Sequence, residues 1–184
     1  ADTVAWHRNL GGAPTQWSTE AIATGIDGPL SIAVADVDRD GDLDVVSVGA
    51  NMNSVQWHEN LGGDSPAWTL RMAATGVIGA QCIRAADIDQ DGDMDFVVGA
   101  ASEDRIIVLE NMGGAPPMFT RRETVGMPDF PRGLAIADID ANGQLDIAFA
   151  SRSDGRVGWM PNKGGEFALP TIVTAPETIP NAGV

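Results

Sequence analysis

The chain predicts an all-β fold of β-propeller blades, each of four antiparallel strands, with about 3.5 blades on a 51-residue period forming part of a seven-bladed ring. Three observations carry this. The stretch Trp-His-Arg-Asn-Leu-Gly-Gly at 6–12 returns at 57–63, 108–114 and 159–165, each copy 51 residues after the last. Between these stretches apolar residues alternate with a period of two, the pattern of strands. The 22 glycines and 11 prolines in 184 residues suit many short strands and tight turns better than helices.

The period divides the chain into a half blade over 1–30 and blades over 31–81, 82–132 and 133–184. Within a unit, Ser31 to Ala35 reads as a first strand with Ile32 and Val34 on one face, matched by Ile83 and Ala85, then by Leu134 and Ile136. The opposite face is small (Ala33, Ala35, Ala86, Ala135 and Ala137, with Arg84 the exception), which suits a strand crowded on that side. An acidic turn follows. The second strand, at 43–48, 94–98 and 145–149, is almost continuously apolar and so reads as buried on both faces. A third strand sets Val55 and Trp57 on one face, echoed by Val4 and Trp6, Ile106 and Val108, and Val157 and Trp159. Asn-Leu-Gly-Gly then turns the chain into a fourth strand near Trp68, with Trp17 and Phe119 in the same register and Phe167 standing in for them in a shortened last copy. Four strands in a tandem unit of about 50 residues is the pattern of propeller blades. Closed propellers hold four to eight blades, so the remaining blades, or a second chain, are expected to complete the ring.

The acidic turns carry the chemistry. They run Asp36, Asp38, Asp40, Asp42, Asp44; then Asp87, Asp89, Asp91, Asp93, Asp95; then Asp138, Asp140, Asn142, Gln144, Asp146, at alternate positions and again 51 residues apart. Carboxylates packed this closely repel one another unless a cation lies among them. Calcium fits, because it takes six to eight oxygen ligands, and a nine-residue turn offers side chains at positions 1, 3, 5 and 9 and the backbone carbonyl at position 7. Gly41, Gly92 and Gly143 at position 6 allow the sharp bend. Up to three Ca²⁺ are expected, one per turn. The third turn is the weakest, although Asn142 keeps a side-chain oxygen and Gln144 stands where a backbone carbonyl suffices. An EF-hand is excluded, because its bidentate Glu at position 12 would fall on Ser47, Val98 or Phe149.

The formal charge of −15 is concentrated here, since the three turns hold 13 of the 26 acidic residues. Three bound calcium ions would leave about −9, so the loaded protein should be the more stable. An acidic surface of this kind excludes nucleic acid and anionic membranes as partners. No apolar run approaches the ~18 residues that span a bilayer, so membrane insertion is not expected. Cys82 is the single cysteine, which precludes an intrachain disulfide. The absence of an initiator Met and of a charged, apolar leader fits a mature chain whose export signal has been removed. Calcium turns of this kind fill outside the cytosol, so an extracellular or cell-surface setting, the periplasm included, is expected.

The motif Asp-x-Asp-x-Asp-Gly-x-x-Asp, followed by an apolar strand and Gly-Ala as at 36–50 and 87–100, resembles the FG-GAP or VCBS repeats that build integrin α-chain-type β-propellers and many secreted bacterial proteins. The resemblance covers nearly the whole chain. It implies that the turn joins the two inner strands of a blade and holds Ca²⁺ through the groups named above. The chain departs from the family pattern at Asn142 and Gln144, and Val48-Gly49-Ala50 and Val98-Gly99-Ala100 lack the family's following proline.

The remaining candidates read as scaffold. His7 and His58, opposite the neighbouring tryptophans, are expected on exposed strand faces; Trp6, Trp57 and Trp159 are expected to pack between blades. Cys82 is expected buried. Arg84 and Arg132, on first strands near the propeller axis, are expected to pair with turn aspartates. A glycosidase needs one protonated carboxyl of a pair, and carboxylates on calcium are held ionised, so no catalytic residue is assigned. The reading is a calcium-stabilised, non-catalytic binding module of a secreted or surface protein, with a protein or carbohydrate ligand. The alternatives are the propeller portion of a polysaccharide-acting enzyme such as a lyase, and a subunit of a larger multi-chain complex.

Overall fold

Alternation of apolar residues yields strands at the expected positions, except near Phe167. A computed structural model describes residues 2–63, 65–124, 126 and 128–174. β1 (Thr3–Gly11) and β2 (Gln16–Thr24) form a two-stranded sheet. A second sheet follows in chain order as β3 (Pro29–Ala35), β4 (Asp44–Gly49), β5 (Ser54–Asn60) and β6 (Trp68–Thr75). The third comprises β7 (Ala80–Ala86), β8 (Asp95–Ala100), β9 (Arg105–Gly114) and β10 (Pro117–Glu123). The fourth comprises β11 (Pro131–Ala137), β12 (Asp146–Ser151), β13 (Val157–Met160) and β14 (Thr171–Ile172). Every pair is antiparallel. The last strand is only two residues long, and Phe167 instead forms an isolated bridge with Asn162. Among the described residues the four sheets do not close into a ring. Residues 175–184 of the last expected blade lie outside the described residues.

The repeat extends to irregularities. Each first strand opens with a register shift, between Pro29 and Ser31, Ala80 and Cys82, and Pro131 and Gly133. A bulge recurring at one position re-aims each inner strand in the same way.

The core lies between sheets. Val46, Val48 and Trp57 of the second sheet pack with Ile83, Phe96 and Val98 of the third, and Phe119 stacks on Phe96 with ring centroids 5.0 Å apart. Cys82, Val97 and Val108 pack in turn with Leu134, Ile147 and Phe149 of the fourth sheet. Each fully buried side chain of this size stabilises by roughly 1.5–3 kcal/mol. The packing between the first and second sheets is smaller, built on Val4, Ile26 and Val45.

Four expectations are met or corrected here. Trp57 and Cys82 are buried, whereas Trp6 and Trp159 are half-buried. His7 is exposed and its Nδ1 lies 3.0 Å from Thr19 Oγ1, but His58 is not exposed. β5 is an interior strand covered on both faces, and His58 Nε2 lies 2.9 Å from the buried Ser47 Oγ, so burial lowers the ring's pKa. Arg84 and Arg132 pair with no turn aspartate among the described residues. Arg84 donates to the Ile83 carbonyl (2.7 Å), and Arg132 donates to Gln81 (3.3 Å) while covering the Phe130 ring.

Candidate metal centre

Each acidic turn joins the first strand of a sheet to its second, and its own side chains shape it. In the first turn the Asp38 carboxylate accepts from the Asp40 N–H (3.2 Å) and Asp40 accepts from the Asp42 N–H (2.8 Å). The second turn repeats this with Asp89, Asp91 and Asp93, and the third with Asp140, Asn142 and Gln144. Position 1 ties the bend: Asp36, Asp87 and Asp138 each accept from the position-6 glycine N–H, at 3.1, 3.0 and 2.9 Å. Those glycines sit at φ of +96°, +94° and +86°, a region that side-chain-bearing residues rarely adopt.

Position 9 anchors the turn to the sheet. Both oxygens of Asp95 are bonded, one to the Ile88 N–H and one to the Asn111 N–H, each at 2.8 Å. Asp44 does the same with Val37 and Asn60, and Asp146 with Ile139 and Asn162. All three carboxyls are buried. Burial, opposed by those two N–H donors and reinforced by the Asp89 and Asp91 charges, pushes the Asp95 carboxyl up to about 6; burial likewise raises Asp44.

Convergence of ligand atoms differs from turn to turn. Oxygens of Asp36, Asp38 and Asp40 lie within 4.8 Å of one another in the first turn; the second gathers Asp87, Asp89 and Asp95, and the third Asp138, Asp140 and Asp146. Asp91 and Asn142 shape the backbone beside these groups. The position-7 side chains point away. Asp42 lies against the Asn-Leu-Gly-Gly turn, where a Cβ on Gly62 would come within 2.4 Å of its Oδ2, and Asp93 is held by Arg39. Position 7 therefore turns its side chain outward, as expected where its carbonyl is the available donor.

Fit to a cation can be tested on unsatisfied oxygens. Asp36 Oδ1 and Asp87 Oδ1 are buried with no hydrogen-bond partner. A buried, unpaired carboxylate oxygen costs several kcal/mol, and a hard divalent cation is the partner that such an oxygen, among converging carboxylates, can take. The third turn differs. Asp138 is exposed and its Oδ1 accepts from the Asn142 N–H (3.0 Å), so position 1 is already satisfied.

Two further carboxylates went unread in the sequence. Glu59 lies beside Asp38, and Glu110 beside Asp89. Burial, with these like-charged neighbours, raises the Asp38 and Glu110 carboxyls. Arg71 (2.5 Å) and Arg122 pair with the two glutamates from behind. The signal was present, since Glu59 and Glu110 occupy one position of the repeated stretch, but that stretch reads as a strand and turn. In the last copy Pro161 stands there instead.

The turns also touch each other. Arg39, at position 4 of the first, donates to the Gly92 carbonyl (3.0 Å) and pairs with Asp93 (2.8 Å) of the second; Gln90 of the second donates to the Gly143 carbonyl (2.5 Å) of the third. A family model for FG-GAP-like repeats matches the chain three times, over residues 1–47, 36–98 and 87–149, and every acidic turn falls inside a match. No curated protein matches the chain.

Proposed function

The chain belongs to the FG-GAP-like repeat family, and from that premise we propose that it is a calcium-stabilised, non-catalytic interaction module of β-propeller type. The observation that carries this reading is the pair of buried, unpartnered oxygens, Asp36 Oδ1 and Asp87 Oδ1, each on a member of a group of converging carboxylates. Asp36, Asp38, Asp40 and Asp44 would hold one ion, and Asp87, Asp89, Asp91 and Asp95 a second, with Glu59 and Glu110 beside them and the position-7 carbonyls of Asp42 and Asp93 completing each set. Calcium suits so irregular an oxygen set better than magnesium, which demands near-ideal octahedral geometry. The bound ion supplies charge neutralisation alone; the residues fix the turns that join each pair of inner strands. Rigid turns at one end of stacked sheets present a surface to a protein or carbohydrate ligand, in a secreted or cell-surface setting where calcium is abundant.

Thermal melting tests the metal. A ligand at a hundred times its dissociation constant stabilises by about 2.7 kcal/mol per site, so calcium in excess raises the Tm of chelator-treated protein by about 10 °C. A melt indifferent to calcium contradicts the reading. A glycan array and a lyase assay on one preparation test the module: retention without product supports it, and released product overturns its non-catalytic part.

A further inference from the structure

Between the first and second sheets lies a groove of about 570 Å³ whose lining includes Trp6, Ile32, Val34, Leu43, Asn60 and Trp68. Its floor is apolar side chains half open to water: Ile32 is 49% exposed, Val34 53% and Leu43 60%. The repeat shows what belongs there. Ile83 and Leu134, the counterparts of Ile32 one and two periods on, are 0% and 4% exposed. Each is sealed by the inner hairpin of the preceding sheet: Val46 and Val48 cover Ile83, and Cys82 and Val97 cover Leu134. The groove continues that same intersheet interface one step further, where the preceding sheet consists of β1 and β2 alone.

Polar groups give the same answer independently. Asn111 Nδ2 donates to the Val37 carbonyl (3.2 Å) and Asn162 Nδ2 to the Ile88 carbonyl (3.0 Å), each the second residue of the preceding acidic turn. Both asparagines are buried. Asn60, their counterpart on the groove wall, donates to Leu43 of its own sheet (3.1 Å) and has no such intersheet bond among the described residues.

We infer that this groove is the seat of one more inner hairpin of the same repeat type: two antiparallel strands joined by an acidic nine-residue turn, paired to the edge of β1 as β8 is to β9. The inference rests on reading the chain as stacked propeller-type sheets. The hairpin's first strand covers Ile32 and Val34, its turn offers a position-2 carbonyl to Asn60, and its position-4 side chain reaches the Gly41 carbonyl as Arg39 reaches Gly92. A second copy of this chain does not supply it. β4, β8 and β12 are already bonded to β5, β9 and β13, so the occupant is a hairpin with no third strand of its own, which takes β1 as that strand.

Joining a duplicate of residues 80–103 ahead of Asp2 tests this, because residue 104 follows Asp2 by 102 positions, or two periods, and the duplicate therefore enters in register. In the extended chain β1 amides should exchange at least roughly tenfold more slowly than in the parent. Ile32→Asp should shift the parent's Tm by no more than about 1 °C, since it alters an exposed side chain, and lower that of the extended chain by several degrees. A duplicate that exchanges freely while β1 is unchanged, an extended chain that fails to fold, or an equal effect of Ile32→Asp in both chains overturns the inference. Calcium binding by the parent chain is read separately, so either reading can fail while the other stands.

Discussion

The first two acidic turns and the third share one backbone and differ in what surrounds it. Position 1 bonds the position-6 glycine and position 9 bonds two backbone N–H groups in all three. Yet the first two leave a position-1 oxygen buried and unpartnered and bring up a glutamate, whereas the third satisfies that oxygen internally and carries Pro161 in the glutamate's place. The comparison separates two jobs that one motif combines. Position 9 and the bond from position 1 to the glycine build the turn whatever it holds; the free position-1 oxygen, positions 3 and 5 and the strand glutamate decide how strongly it attracts a cation.

The largest effect expected of a single change lies in the shared scaffold. Asp95→Ala strands the buried N–H groups of Ile88 and Asn111, and Asp146→Ala those of buried Asn162 and exposed Ile139. In chelator each should destabilise by about 2–3 kcal/mol, as chemical denaturation would show, and Asp95→Ala, which also removes a ligand of the second site, should cost more in calcium. A gap between them that is as large in chelator as in calcium would break the comparison. The Asp95 carboxyl adds a pH signature, because its native value near 6 lies above the ordinary 3.8. The native state then binds more protons than the unfolded one between these values, so stability from this group is present below about pH 4 and lost as pH rises through 6. In chelator, the wild type should lose stability relative to Asp95→Asn across that window, and calcium should abolish the difference.

Next in size is the contrast between position-3 residues. In calcium, Asp89→Ala should cost about 2 kcal/mol and Asp140→Ala under about 0.5 kcal/mol, the gap vanishing in chelator. The smallest effect sharpens the comparison most. Glu110→Gln removes a carboxylate that crowds Asp89, so it should raise the Tm slightly in chelator and lower it in calcium, with calcium affinity at the second turn falling about tenfold. A shift of one sign in both conditions would mean that Glu110 has no part in cation binding.

The strands, their order and the turns were legible because a fixed 51-residue recurrence fixes register as firmly as a run of measured contacts would. What was not legible depended on neighbours. Alternation correctly put Ile32 and Val34 on one face, but no pattern within the strand shows whether another sheet covers that face, and here none does among the described residues. His58 has the polarity of a solvent-facing residue and is buried, because Ser47 across the sheet gives it a partner. Arg39 and Gln90 stand between turn aspartates, at a position the motif leaves open. They sit at φ of 61° and 64°, which turns their side chains onto the next turn. Glu59 and Glu110 lay inside a motif already explained as strand and turn, so their approach to Asp38 and Asp89 emerged from geometry alone.

Calorimetric titration of calcium into chelator-treated protein, repeated with Asp36→Asn and Asp87→Asn, tests the central claim most directly. Two strong sites are predicted, one lost with each variant, and a third at least about tenfold weaker. No saturable heat, or a tightest site that survives both substitutions, would contradict the account.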